Sequence, residues 1–579
     1  MFFRLIYVFL ALLAVSRLAA AQQAVGTFVP SPCPIPVPVG EDVDCGYLSV
    51  PQHHDDPNGP AFQLAVAILR TDSLAPKTDP VIYLSGGPGG SALASLSGWI
   101  DLPIANDRDL IFLDQRGTGY SLPGLFCENY EYDFDPDDLF FGEFLLYCRD
   151  EMAELGIDLG AFNSRESAWD VAVLIRALGL EQANLYGISY GTRLALTVMR
   201  DSPDVVRAAV LDSPYPLQIN GFEAQVINGF SAIDALLAAC GADIDCNNAF
   251  PSLSRRFYAF IESGRVVYAN VGSGSEELRG YDIARYLFDV LYDSDAIPMV
   301  PMALSNILDG NAELFGDLVS GYYATYEGGN EALEAFYDIV DTLAMRVLGM
   351  ESVDFFIAYV DSLERNRRSM VYAQAISEAT DEELAQIIQF YLDFETLEET
   401  HSYLAALSES DQDALIDSIV MALSFSYSNT TDSDAVFHTV MCTEEVPFNR
   451  IGNAEQNSLE VAATVREALL DGVYFQFELC KYWDVPAAPE IETQAVNSSI
   501  PVLILGGEFD PITPPVFAEA ALQGLTQAQK VIIPGGGHGL VAASECPQSI
   551  GIAFLNDPTA ALDASCATNM RVVWETQQP

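Results

Sequence analysis

One serine in this chain has neighbours that an ordinary turn does not require. In "YGISYGT", residues 186–192, Ser189 stands between Gly187 and Gly191, after a short apolar run and before the helical pattern "GTRLALTVM". A serine on so tight a bend is presented at the end of a strand, and small flanks let strand and helix pack closely behind it. Its alcohol attacks a carbonyl only if a base takes its proton, and the carbonyl oxygen needs donors as it becomes negative. "YLSGGPGGS", residues 83–91, supplies a glycine-rich turn whose backbone N–H groups can face a cavity. Gly87 is the first choice of oxyanion donor there, with Gly86 as its alternative, and the Tyr190 N–H is the second donor. The same turn lacks the lysine of a phosphate-binding loop.

Five histidines are available as base: His53, His54, His401, His438 and His538. His538 lies in "IPGGGHGL", just past the last strand-like run, where a loop can carry an imidazole over the serine. The carboxylate that orients it should precede it in the chain. Asp510 in "LILGGEFDPITPP" and Asp212 in "AVLDSPYP" both stand at the end of a strand-like run. The order Ser…Asp…His, with glycines on both sides of His538, points to a nucleophilic triad.

These residues need a frame. The runs Gly46–Val50, Phe62–Leu69, Val81–Leu84, Leu110–Leu113, Asn184–Tyr186, Ala208–Leu211, Val502–Leu505 and Lys530–Ile533 are rich in Val, Ile and Leu, as suits strands buried on both faces. Between two of them Val171, Leu174, Ile175 and Leu178 recur at helical spacing, with Ser164 as the expected cap and Gly179 as the stop. From about residue 218 to 483 helical periodicity takes over; Thr380 and Glu383 form one capping-box signature. The expected division is a leader at 1–21, a first core part at 22–217, a helical cap at 218–483 and a returning core part at 484–579.

The chain has 579 residues, half of them hydrophobic, and a formal net charge of −56. Only Lys77, Lys481 and Lys530 are lysines. Such a surface repels nucleic acid and anionic membranes. Arg4, the apolar stretch "LIYVFLALLAV" and the small residues of "LAAAQQ" read as an export signal cleaved near Ala21, too short to span a bilayer. No stable membrane insertion and no lipid anchor are expected. Ten cysteines behind such a leader favour disulfides. Neighbour pairing (33/45, 127/148, 240/246, 442/480 and 546/566) is the simplest of many connectivities. No C-x-x-C or H-E-x-x-H occurs, so neither metal nor cofactor is expected. Asn429 and Asn497 head N-x-S/T sequons.

Taken in order, "GGPGGS", "DLIFLDQRGTGYS", "LYGISYGT", "GGEFDPITP" and "GGGHG" resemble the α/β-hydrolase peptidases of the prolyl and tripeptidyl aminopeptidase group. "DCGYLSVPQ" and the segment holding Cys546 and Cys566 resemble its secreted tripeptidyl-type branch. The resemblance implies an α/β-hydrolase fold, a mostly parallel sheet with flanking helices and a large inserted helical cap. It also implies a serine exopeptidase acting on peptides with a free N-terminus, with Ser189 as nucleophile, His538 as base and Asp510 as its orienter. Arg116 would tie down a turn below the site. Two departures stand out: Ser85 replaces a histidine often found before the glycine turn, and the cap is longer than usual across roughly 328–433.

An aminopeptidase must hold an α-ammonium, for which a desolvated carboxylate at fixed distance is the physical solution. Glu444 and Glu445 in "MCTEEVPF" are the candidates. A carboxylic-ester hydrolase on the same scaffold is the alternative activity, and a binding protein that has lost the chemistry is the third reading.

Overall fold

The computed structural model describes residues 24–126 and 141–576, apart from 39, 272–273, 327–330, 351, 362–364, 393, 395, 425–431 and 542. The leader, Cys127 and Asn429 lie outside the described residues.

The strands in chain order are β1 (Phe28–Pro30), β2 (Val43–Pro51), β3 (Ala61–Leu69), β4 (Val81–Leu84), β5 (Leu110–Leu113), β6 (Ala183–Ile188), β7 (Val206–Asp212), β8 (Val267–Val271), β9 (Gly274–Leu278), β10 (Val502–Gly507) and β11 (Ala528–Ile533). Nine of them form one sheet in the order β1-β2-β3-β5-β4-β6-β7-β10-β11. From β5 to β11 every pairing is parallel, whereas β1, β2 and β3 add an antiparallel flank. Each short apolar run predicted as a strand is one. Their residues alternate between two buried faces. Ile82, Ile111, Leu185 and Ile504 join Val171, Leu174, Leu194 and Val198 on one side. Tyr83, Phe112, Tyr186 and Leu505 join Trp99, Ile550 and Phe554 on the other. Chain order reverses at β4 and β6, the switch point where open parallel sheets place ligands at the strands' carboxyl ends.

Arg116 is structural, as expected. Its guanidinium grips Asp170 twice at 2.8 Å and donates to the Gln52 and Ala161 carbonyls at 2.8 and 2.7 Å, fully enclosed. Burial works to raise the Asp170 pKa, but Arg116 and His54 outweigh it and hold it below the ordinary value. Arg116→Ala strands a buried carboxylate and is expected to lower unfolding stability by about 3–5 kcal/mol, read from urea denaturation.

The middle segment is mostly helical. The helix Gly221–Ala242 is apolar and long enough by composition to cross a bilayer, yet Val226, Phe230, Ile233 and Leu237 pack against Phe257, Ile283 and Ile307. Its hydrophobicity belongs to the cap core. Residues 336–423 build a separate small core around Phe336, Val340, Tyr372, Ile388 and Ile419. The Thr380–Glu383 capping box is formed. Two expectations fail. The β8–β9 hairpin interrupts the helices, because "VVYAN" alternates buried and exposed positions at strand period. The helix Ser164–Ala177 is capped by Asn163, whose side chain accepts from Glu166 N, and not by Ser164.

Disulfides join Cys33–Cys45, Cys240–Cys246, Cys442–Cys480 and Cys546–Cys566. The 127/148 pairing involves a residue outside the described set. Phe509 and Trp574, late in the chain, pack into the same core as the cap helices, so the cap and the returning segment share one interior.

Candidate active site

Ser189 follows β6 with φ 57° and ψ −124° and leads directly into the helix Tyr190–Asp201. Such a non-glycine conformation costs about 1–3 kcal/mol and persists only where the surroundings impose it. Here they do. The Ser189 N–H donates to the Asp212 carbonyl at 3.0 Å, and its own carbonyl accepts from Thr192 N at 2.9 Å and Thr192 Oγ1 at 2.6 Å. The flanking glycines have a steric cause: a Cβ on Gly187 would lie 2.3 Å from the Gly191 carbonyl oxygen, and one on Gly191 would lie 2.0 Å from that of Leu84. Strand β4, the elbow and its helix can therefore touch only without side chains at these two positions.

The glycine turn after β4 lies against the serine. A Cβ on Gly86 would sit 3.1 Å from Ser189 Cβ and 3.6 Å from its Oγ. Gly87 follows with φ 103°. Tyr190 opens the helix, so its N–H has no intrahelical acceptor. The turn is held from behind by Asp114, which accepts from Ser91 Oγ at 2.9 Å, Leu93 N at 3.0 Å and Tyr120 N at 2.8 Å. Burial pushes the Asp114 carboxyl up to about 6 against these donors. Ser85, in place of the histidine common in the resembled group, is buried, and its carbonyl accepts from Gln115 Nε2 at 3.2 Å.

Asp510 and His538 meet. The Asp510 Oδ2 to His538 Nδ1 distance is 2.9 Å. Asp510 also accepts from Ile512 N at 3.0 Å, Thr513 N at 2.8 Å and Thr513 Oγ1 at 2.7 Å, and that hydroxyl lies 3.2 Å from His538 Nδ1. Burial opposes its charge, but His538 and these donors outweigh it and hold the Asp510 pKa below the ordinary value.

Asp212 does something else. Its carboxylate accepts from Leu540 N at 2.9 and 3.0 Å, from Val541 N at 2.9 Å and from the Tyr186 hydroxyl at 3.1 Å. Burial pushes it up to about 6. Next to it Ser213, with φ 55°, accepts from Gly539 N at 2.9 Å. The corner at the end of β7 thus holds Ser189 through one carbonyl and the His538 loop through a carboxylate and a hydroxyl. Among the described residues no hydrogen bond joins Ser189 Oγ to the imidazole. Such contacts commonly tighten only in the substrate complex. Ser213 and Thr513 went unremarked in the sequence; a small residue before proline in "LDSPYP" and a threonine three places after Asp510 were the available signals.

Glu444 and Glu445 are both enclosed, on a π-helical turn, Met441–Glu445, that the Cys442–Cys480 disulfide ties to the helix Ala463–Trp483. Glu444 is fully engaged, accepting from Ser164 N at 2.6 Å, Ser164 Oγ at 2.7 Å and Arg193 Nε at 3.1 Å. That bond is why Ser164 does not cap its own helix. Glu445 is different. Arg193 NH1 forms an ion pair with its Oε1 at 2.9 Å, and among the described residues neither atom has a partner of hydrogen-bonding geometry. Burial pushes the Glu445 pKa up, opposed by Arg193, the Gly221 N–H and the Tyr215 hydroxyl. One guanidinium serves two buried carboxyl groups.

Residues 79–259 match the family described as alpha/beta hydrolase fold, and residues 470–566 match that described as TAP-like protein. Serine protease Hip1 of Mycobacterium tuberculosis is 28% identical over 224 residues, 35% of this chain and 42% of its own. Tripeptidyl aminopeptidase of Streptomyces coelicolor is 28% identical over 220 residues, 34% of this chain and 40% of its own. The match covers less than half the length of either relative.

Proposed function

We propose, from the premise that this chain is an α/β hydrolase by fold, that it is a secreted serine exopeptidase cutting peptides near a free N-terminus. The observation that carries the reading is the His538–Asp510 pair, suspended from the same β7 corner that holds the strained Ser189. The relatives named serine protease and tripeptidyl aminopeptidase support peptides as the substrate class. The leader and the disulfides support export.

In this mechanism His538 Nε2 takes the Ser189 proton as Oγ attacks the scissile carbonyl. The Gly87 and Tyr190 N–H groups receive the developing oxyanion. His538 then hands the proton to the departing amine, and an ester bond joins the acyl part to Ser189. Water, activated by the same imidazole, releases it. Asp510 holds the imidazole with Nδ1–H toward itself, so that Nε2 stays free to accept.

Two buried carboxyl groups sharing one guanidinium favour an aminopeptidase over the ester alternative. An α-ammonium beside Glu445 adds a second cation to the pair and donates to Oε1. Glu445 is 2% exposed, so the reading requires the cap turn to open as substrate enters. Glu444, with its oxygens already taken, is structural.

The test compares a peptide anilide with its N-acetylated form and a simple acyl ester. Cleavage confined to the free-amine compound supports the proposal. Cleavage of the ester alone establishes the alternative, and silence toward all three leaves a binding role. Glu445→Gln is expected to raise KM for the free-amine anilide by about tenfold to a hundredfold, with kcat for an ester unchanged; an unaltered preference for free over blocked N-termini removes Glu445 from this role.

A further inference from the structure

The cap brings aromatic side chains onto the catalytic imidazole. The His538 N–H donates to the Tyr292 carbonyl at 3.0 Å, and the two rings meet edge to face, 4.9 Å apart at 62°. Tyr292 lies 5.8 Å from the Phe288 ring and 6.1 Å from that of Tyr322. All three aromatics are half-buried. The stretch that carries Tyr292 is packed closely against the histidine loop. A Cβ on Gly537 would fall 2.4 Å from the Leu291 carbonyl oxygen and 2.6 Å from that of Tyr292, and the Gly537 N–H donates to Ser294 Oγ at 2.9 Å. The histidine loop is therefore clamped between the β7 corner on one side and the 291–294 stretch of the cap on the other.

Peptide cleavage gives this arrangement a directional meaning. His538 must protonate the nitrogen of the departing peptide, so that nitrogen lies about 3 Å from the imidazole in the reacting complex. The side chain of the same residue branches two bonds further on. A ring centred 4.9 Å from the imidazole is within its reach. Half-buried aromatic rings keep apolar surface in water, which a ligand side chain of the same character would cover.

We propose that Phe288, Tyr292 and Tyr322 form the subsite for the first residue of the leaving peptide and favour a large apolar or aromatic side chain there. The assignment rests on the serine-peptidase reading above and adds the identity of the residue after the cut.

The experiment uses the full chain and peptides that share everything up to the scissile bond and differ only in the next residue: Gly, Leu or Phe. Cleavage positions are read by mass. In the unmodified protein kcat/KM should be about tenfold or more higher for Phe than for Gly. Tyr292→Ala should bring that ratio toward one, whereas Tyr292→Phe should keep it. Tyr322→Ala, whose ring meets Tyr292 and not the imidazole, should also lower the ratio. Equal rates for Gly and Phe, or a ratio that survives both alanine variants, overturn the subsite. Ester cleavage with every peptide left intact overturns the peptidase reading itself, a distinguishable result.

Discussion

Ser189→Ala is expected to lower kcat by roughly a millionfold while leaving the fold untouched. The loss is chemical because, on the proposed mechanism, Ser189 Oγ forms the acyl bond. The neutrality for folding has a structural reason: what imposes φ 57° on this residue is the bonding of its backbone to Asp212 and Thr192, none of which involves Oγ. Alanine meets the same strain with the same supports. Two measurements check it, turnover of the peptide anilide and the mass shift after exposure to a serine-directed phosphonate. Activity within tenfold of the unmodified protein, or a phosphonate adduct elsewhere, would assign the nucleophile to another residue.

Asp510→Asn is expected to cost about ten-thousandfold in kcat, through proton placement. Asp510 Oδ1 accepts two backbone N–H groups, from Ile512 and Thr513, so an asparagine there must turn its carbonyl oxygen toward them. Its amide NH2 then faces His538 Nδ1 and the Thr513 hydroxyl. Nδ1 becomes an acceptor, the ring proton moves to Nε2, and the imidazole can no longer take the serine's proton. Asp212→Asn should behave differently. It weakens the bonds to Leu540 and Val541 that hold the histidine loop, so thermal stability falls along with rate, whereas Asp510→Asn leaves the unfolding temperature nearly unchanged. A fully active Asp510→Asn protein with an inactive, stable Asp212→Asn one would exchange the two roles.

The sheet was legible because its strands are short, β-branched and bounded by turn residues, so composition alone marks them. β4 and β5 match their expected limits, and the other runs extend by one to three residues into less apolar ends. The elbow was legible because its glycines answer a steric demand that leaves a trace in sequence. What was not legible depends on partners far away in the chain. Ser164 looks like a helix cap, but Glu444, 280 residues later, takes its N–H and hydroxyl. Asp212 and Asp510 are alike as strand-end aspartates, and only the paths of the 512–513 and 540–541 backbones separate the carboxylate that meets His538 from the one that brackets its loop. Glu444 and Glu445 look equivalent in "MCTEEVPF"; both face Arg193, and the two bonds from Ser164 to Glu444 distinguish them. The β8–β9 hairpin was missed because five-residue strands inside a helical region carry little periodic signal.

Strands β7 and β10 lie side by side, paired from Ala209–Val502 to Asp212–Leu505, although everything from 213 to 501 intervenes. A polypeptide that stops before residue 502 can assemble the serine elbow and its glycine turn, but it leaves the β7 edge unpaired and holds neither member of the His538–Asp510 pair. Contacts so distant along the chain close slowly, and an open parallel edge invites association in the meantime. Truncated copies are accordingly expected to be prone to aggregate and, on the proposed mechanism, inert toward peptides, so that the last 78 residues complete both the sheet and the proposed site.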